Sequence, residues 1–369
     1  MSSMKRLGSQ SLRMAVNMHS STLPVSMIEN SRAETAMKYP LSFLTWNVNG
    51  LRVRMQTAWQ WNGFVNLVNY NTPDIICLQE VKLPAHSPVG ARRRDGAPRD
   101  PSKVKSNEKQ NKEDCHLIDR CLNTDFPNYS VHWSLSEWRY AGQLMLIKKQ
   151  FQPKVLRFNL NLELPANAHS QDGRTIAAFF DSLVVISTYT PNNGASEDHF
   201  IRRRVWDEEM LKFMQSLKKD NQKIIWLGDL NCAPEDVDLS HSRWFRMAIP
   251  ILKNPRHSVE EFSIEDYSGQ AGCTNAERKR FKHILDSCDL VDTYRELYPT
   301  QFSPDVNSSG YTWRGNLLVI FIRILSSSLM PMVWDCSILG YDSSQINFFG
   351  SDHCPVYLRF YDNYMENIK

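Results

Sequence analysis

Lys223-Ile-Ile-Trp-Leu-Gly-Asp-Leu-Asn231 is the stretch that decides the fold. Its first five residues form a short apolar, β-branched and aromatic run of the kind that makes a buried strand. It follows a helical stretch, Phe200–Lys219, apolar at 201, 205, 206, 210, 211 and 214. Working outward, similar runs recur at Leu41–Trp46, Asp74–Leu78, Gln143–Ile147, Leu183–Ser187 and Pro355–Phe360, with helical stretches at Trp59–Tyr70 and Thr274–Cys288. Strands alternating with helices predict a layered α/β domain.

Five of these runs end in polar residues: Trp46-Asn-Val-Asn-Gly50, Leu78-Gln-Glu-Val-Lys82, Tyr189-Thr-Pro-Asn-Asn-Gly194, Leu227-Gly-Asp-Leu-Asn231 and, before the last strand, Gly350-Ser-Asp-His-Cys354. Strand ends of this kind are where layered α/β proteins open their clefts. One Asn or Asp there is usually a turn former, and one histidine is usually structural. Two acids, several amides and an Asp-His pair together suit phosphoester hydrolysis. An oxygen-rich cluster holds a hard cation, a carboxylate orients water, and an imidazole steadies phosphate charge. Glu80, Asp229 and Asp352 crowded together would be costly to ionise unless a metal joined them.

Composition limits the alternatives. The 369 residues carry 43 basic and 40 acidic groups, net +3, so a polyanion must be met by a local patch. Hydrophobic residues at 42% and charged residues at 22% exclude wholesale disorder. The apolar stretch Leu317–Ile322 is far short of the ~18 residues of a bilayer span, so no membrane partner is expected. The 8 cysteines include no Cys-x-x-Cys and several lie in apolar runs, which predicts buried free thiols. Residues 1–39 are an appended segment with Lys5, Arg6, Arg13, seven serines before residue 27 and no acid before Glu29. That composition suits an organelle transit peptide or a disordered tail on a nuclear or cytosolic protein. Pro84–Cys115, with 8 basic and 5 acidic residues, reads as a solvated loop insertion or a flexible arm touching phosphates. The catalytic domain is expected over 40–362, with a short tail at 363–369.

Taken in order, Trp46-Asn-Val-Asn-Gly-Leu-Arg52, Gln79-Glu-Val-Lys82, Tyr140-Ala-Gly142, Asp172-Gly-Arg174, Tyr189-Thr-Pro-Asn192, Gly228-Asp-Leu-Asn231, Glu277-Arg278, Leu290–Arg295 and Gly350-Ser-Asp-His-Cys-Pro355 resemble the motifs of exonuclease III-type apurinic/apyrimidinic (AP) endonucleases, eukaryotic branch. The resemblance spans about residues 40–362. It implies a four-layered α/β sandwich of DNase I-like type, with two packed mixed sheets flanked by helices. It also implies cleavage 5′ to an abasic site in double-stranded DNA, leaving 3′-OH and 5′-deoxyribose phosphate, and some 3′-trimming. By the same resemblance Mg²⁺ is the metal, with Mn²⁺ as an alternative, the state is monomeric and the compartment is the nucleus, with an organelle as the alternative. Among the metal-site residues it implies, Glu80 is the main ligand, joined by Asn49 (often Asp in the family), Asp229, Asn231, Asp352 and His353. Asp229 and Asn231 align the attacking water, His353 bonds the scissile phosphate, and Tyr140 reaches the phosphate or leaving oxygen. Asn47, Lys82 and Asn192 support the site and the substrate, and Trp313 stands beside the sugar pocket. Arg202, Arg203 and Arg204 either meet DNA phosphates or form one exposed helix face.

One segment departs from the pattern. Where the family has an Arg-x-Asp-Tyr-Phe-Leu strand whose Asp bonds the catalytic histidine, this chain reads Arg314–Leu325, and counting back from Ser326 puts Phe321 at the Asp position. Smaller departures are Cys273 where Phe is common, and Gln143-Leu144-Met145 where smaller residues are usual. Two other readings therefore stand beside the first: a catalytically impaired DNA-binding relative, and another phosphoesterase of the same superfamily.

Overall fold

The structure is a computed structural model describing residues 39–84, 108–136, 139–194, 196–246, 269–299, 311–314, 318–319, 324–340 and 347–362. Its strands in chain order are β1 (Ser42–Asn47), β2 (Ile75–Gln79), β3 (Tyr129–Ser134), β4 (Gln143–Lys148), β5 (Val155–Arg157), β6 (Thr175–Phe179), β7 (Leu183–Tyr189), β8 (Lys223–Asp229), β9 (Leu290–Asp292), β10 (Trp313–Arg314), β11 (Leu318–Val319), β12 (Ile324–Ser326), β13 (Val333–Ile338) and β14 (Val356–Phe360). The α-helices are α1 (Leu51–Gln56), α2 (Ala58–Asn71), α3 (Glu108–Asp125), α4 (Glu197–Lys219), α5 (Ser242–Arg246), α6 (Asn275–Cys288) and α7 (Thr293–Leu297).

Strands covered on both faces read as near-continuous apolar runs, and the two side-chain sets of each strand go to different layers. One six-stranded sheet has the order β13-β14-β1-β2-β4-β3 and the other β5-β6-β7-β8-β12-β9. Phe43, Ile75, Cys77 and Met145 of the first sheet share a core with Ile176, Val185, Ile225 and Leu325 of the second. On the outer face of the first, Leu44, Trp46 and Ile76 meet Trp61 and Phe64 of α2 and Ile118 and Leu122 of α3. On the outer face of the second, Ile186, Ile224 and Trp226 meet Met210, Phe213 and Leu217 of α4 and Phe281 and Ile284 of α6. The result is the expected four-layered α/β sandwich with mixed sheets. The long helices carry their own end signals: Ser196 caps α4, and Thr274 and Glu277 form a capping box on α6.

Three sequence boundaries shift. Tyr39, read as the end of the appended segment, is buried in the inter-sheet core. Residues 108–115, read as the end of a loop insertion, belong to the 18-residue helix α3. Its Asp114 is buried between Arg52 and Arg139. Five of the six read strands reach one or two residues further into their polar ends, to Asn47, Gln79, Lys148, Tyr189 and Asp229, because the ladders continue there. The rest of the appended segment, the basic run Arg92–Arg94, Phe321 and the tail 363–369 lie outside the described residues. No helix among the described residues is long and apolar enough to cross a membrane, and Cys77, Cys121, Cys232, Cys273, Cys288, Cys336 and Cys354 are free, all but Cys121 buried.

Candidate active site

Strand register is what brings the polar ends together. β1 and β2 run parallel with Asn47 opposite Gln79, and β7 and β8 run parallel with Tyr189 opposite Asp229. Both pairs therefore finish at the same edge, one per sheet. β14 lies antiparallel to β1, so the turn before it arrives at that edge too. There Trp46 Nε1 donates to the His353 carbonyl at 2.9 Å and Ser351 Oγ to the Asn47 carbonyl at 2.7 Å. β4 lies antiparallel to β2, which brings the Tyr140 turn against the Glu80 loop through Val81 N to Gly142 O and Lys82 N to Ala141 O. Asn49, Glu80, Lys82, Ala141 and Asn231 all hold left-handed backbone, a conformation that costs free energy in non-glycine residues and clusters at functional sites.

At the meeting point of the two sheets, the Asn47 amide donates to Glu80 Oε1 and to Asp229 Oδ2, each at 2.8 Å. His353 Nε2 lies 3.8 Å from Asp229 Oδ2. One ligand atom each from Glu80, Asp229 and His353 lies within 4.8 Å of the others. Lys82 Nζ sits 2.9 Å from Glu80 Oε2 and also donates to Asn49 Oδ1. Asn49 Nδ2 reaches Asp352 Oδ1 at 2.9 Å, and Trp313 Nε1 donates to Asp352 Oδ2 at 3.1 Å. Asn192 Nδ2 contacts Asn231 Oδ1 at 3.3 Å, and Asn231 Nδ2 holds the Thr190 carbonyl at 2.8 Å. A cavity of about 350 Å³ opens on this cluster, with Phe245, Cys273 and Trp313 on its apolar side.

The two central carboxyls are pulled in opposite directions. Burial, aided by the Glu80 charge, pushes Asp229 above its ordinary value despite His353 and the Asn47 amide. Burial also works against the Glu80 charge, but the Asn47 amide and the Lys82 ammonium outweigh it and hold Glu80 low. Asp352 is likewise held low, because His353, Trp313 and Asn49 together overcome its desolvation. A buried carboxylate whose charge is disfavoured, beside a second carboxylate and an imidazole, is a donor set that a divalent cation fits.

Residues 44–245 match the Endonuclease/Exonuclease/phosphatase family. A protein of Arabidopsis thaliana named DNA-(apurinic or apyrimidinic site) endonuclease is 36% identical, over 86% of this chain and 84% of its own length. The chain belongs to the endonuclease/exonuclease/phosphatase family. A Plasmodium berghei protein of the same name is also 36% identical over 89% of this chain, which spans 65% of that relative's length. The AP endonuclease LMAP from Leishmania major has the same fold, with TM-score 0.58 and 22% identity over 91% of this chain and 92% of its own.

Within the family fold, the residues read from the sequence lie around one edge. Glu80, Asp229 and His353 form the one carboxylate and imidazole group of metal-binding size among the described residues. Asn49 and Asp352, expected to join it, are hydrogen-bonded to each other. Tyr140 is 41% exposed, with its hydroxyl accepting from Arg174 at 2.7 Å, so it is no core aromatic. Lys82 is ion-paired with Glu80, and Trp313 lines the cavity. Arg203 corrects the expectation for the arginine run. It is 1% exposed and donates to the carbonyls of Pro191, Leu230 and Asn231, while Asp207 and Glu277 keep it charged against desolvation. Two residues escaped the sequence reading. Burial, aided by the Glu80 and Asp229 charges, pushes the Tyr189 phenol at the end of β7 up. Gln143, noted only as an oversized residue, is fully buried and links the sheets through Ser187, which is also 3.3 Å from Gln79. Gln143 opens an apolar run and Tyr189 follows one, and nothing local to either position shows its partners across the sheets.

Proposed function

We propose that this chain is a metal-dependent AP endonuclease that hydrolyses the phosphodiester 5′ to an abasic site in duplex DNA and acts as a monomer. The observation that carries the reading is the convergence of Glu80, Asp229 and His353, from two loops and the end of β8, within 4.8 Å of one another in the cavity lining. The names of the 36%-identical relatives support the same substrate. Glu80, Asp229 and His353 would hold the cation, Mg²⁺ in this reading with Mn²⁺ as the alternative; when bound it would neutralise phosphoryl charge as a Lewis acid.

The remaining chemistry belongs to the chain's own side chains. Asp229, raised by burial, is poised to accept a proton from water aligned with Asn231. His353 and Tyr140 present donors to the phosphate oxygens, where charge develops during hydrolysis. Asn192 extends that donor surface, while Lys82 and Asn47 keep the carboxylates in place. Phe245 and Trp313 offer an apolar wall to a sugar that has lost its base, and flipping such a sugar costs little because its pairing is already gone.

The test is a duplex carrying one abasic site, incubated with the chain in Mg²⁺ or in chelator. Mg²⁺-dependent nicking on the 5′ side of the lesion supports the proposal. Binding without nicking supports the impaired relative that Phe321 raises, and cleavage indifferent to the lesion supports another phosphoesterase.

A further inference from the structure

The Asp172-Gly-Arg174 turn is not part of the chemistry described above, yet it is built against two of its residues. Gly173 has φ 62°, and a Cβ there would stand 2.3 Å from the Ser134 carbonyl oxygen, so the turn is pressed onto the end of β3. Gly142 N donates to Asp172 O at 3.2 Å and Tyr189 N to Arg174 O at 3.0 Å, which ties the turn to the Tyr140 loop and to β7. The Arg174 side chain is buried, at 3% exposure. Its Nε donates to Asp172 Oδ2 at 3.1 Å, its Nη1 to the Tyr189 carbonyl at 3.0 Å and its Nη2 to the Tyr140 hydroxyl at 2.7 Å. The guanidinium carbon also lies 4.8 Å from the Tyr189 ring centre and 5.4 Å from that of Tyr140.

We propose that Arg174 is a positioning residue for the reaction, locking the Tyr140 hydroxyl to the Tyr189 end of β7. The inference rests on the function proposed above. A guanidinium has no acceptor, so in the Arg174–Tyr140 bond the phenol oxygen must accept. The phenol's own hydrogen is then left for a different acceptor, and with Tyr140 41% exposed on a turn bonded to the Glu80 loop, that acceptor is inferred to be a substrate oxygen. The planar fork serves Asp172, the Tyr189 carbonyl and Tyr140 at once, which an ammonium cannot do. Tyr189 lines the same cavity as Glu80 and Asp229, so the arginine ties the phosphate donor to the wall of the site.

A double-mutant cycle between Arg174→Met and Tyr140→Phe tests this, with kcat and KM measured on the single-abasic duplex. Arg174→Met is expected to lower kcat about 10- to 100-fold, with KM changed less than about 3-fold, because misplaced donors cost turnover rather than affinity. In the Tyr140→Phe background the same change is expected to cost under about 3-fold, since the group it positions is already gone. If Arg174→Met does not fold, as judged by its thermal transition, the cycle is run with Arg174→Lys, which keeps the charge and loses the fork; the same pattern is expected. Additive losses, or a rise in KM alone, overturn the inference while leaving the functional reading in place. A wild-type chain that never nicks the duplex overturns both.

Discussion

Asn47→Asp attacks the joint between the two sheets. The Asn47 amide donates to Glu80 Oε1 and Asp229 Oδ2, each at 2.8 Å. Replacing the NH₂ by oxygen removes two hydrogen bonds to carboxylates, worth about 1.5–3 kcal/mol each, and sets a third acid between the other two. Glu80 is partly solvated, so the combined loss without metal at pH 8 is expected at about 3–5 kcal/mol. For a body of about 320 residues, whose unfolding entropy is near 0.7 kcal/mol/K, that lowers Tm by about 4–7 °C. The crowded acids would bind a proton more tightly folded than unfolded. A carboxyl with a raised folded pKa stabilises below its unfolded value and loses that contribution as pH rises. The deficit should therefore shrink when the pH falls from 8 to 5, and saturating Mg²⁺ at pH 8 should also reduce it. Calorimetry of both chains at the two pH values, with and without Mg²⁺, measures all of this. A Tm change under about 1 °C at pH 8, or a deficit that grows on acidification, would refute the argument.

Arg203→Met should be severe. It removes the cation that the buried Asp207 and Glu277 share, leaving Asp207 with Arg280 alone, and breaking a buried pair from one side costs about 3–5 kcal/mol. Arg204→Ala, losing a solvated contact 3.9 Å from Glu208, should cost under about 0.5 kcal/mol; urea denaturation of both separates the two neighbours, and equal losses would count against the burial argument. Trp313→Phe removes a donor that helps hold Asp352 low. A depressed carboxyl contributes stability above its unfolded pKa that fades as pH falls through the folded one. The wild-type advantage in Tm should thus be full at neutral pH and shrink on acidification through and below the ordinary carboxylate range. A difference independent of pH would mean the indole acts by packing alone.

Much of this was legible because strands buried on both faces leave continuous apolar runs, and all six strands read that way are present. Their polar last residues looked like turns and are paired strand instead, since Asn47, Gln79 and Asp229 sit in the ladders. That is also why the site assembles, as side chains at the ends of registered strands share one edge. Helix α3 was hidden by charged residues on its solvent side, although Ile118, Leu122 and Phe126 mark an apolar stripe four residues apart. The short strands β5, β9 and β12, three residues each, give too few alternations to stand out. Arg203 and Arg204 are adjacent basic letters with opposite fates, because only the helical face decides which is buried. Arg174, Tyr189 and Gln143 gain their meaning from partners far along the chain, which periodicity does not report.

The central claim is that Glu80 and Asp229, 149 positions apart in sequence but bridged by one amide, serve a single cation. Mn²⁺ titration of the full chain, followed by the paramagnetic resonance of the free ion, tests it directly. The wild-type chain should bind one ion at the cluster, and Glu80→Gln and Asp229→Asn should each weaken that binding at least about 10-fold, roughly 1.4 kcal/mol, while both variants keep a cooperative thermal transition. Wild-type affinity retained in either folded variant would contradict the account.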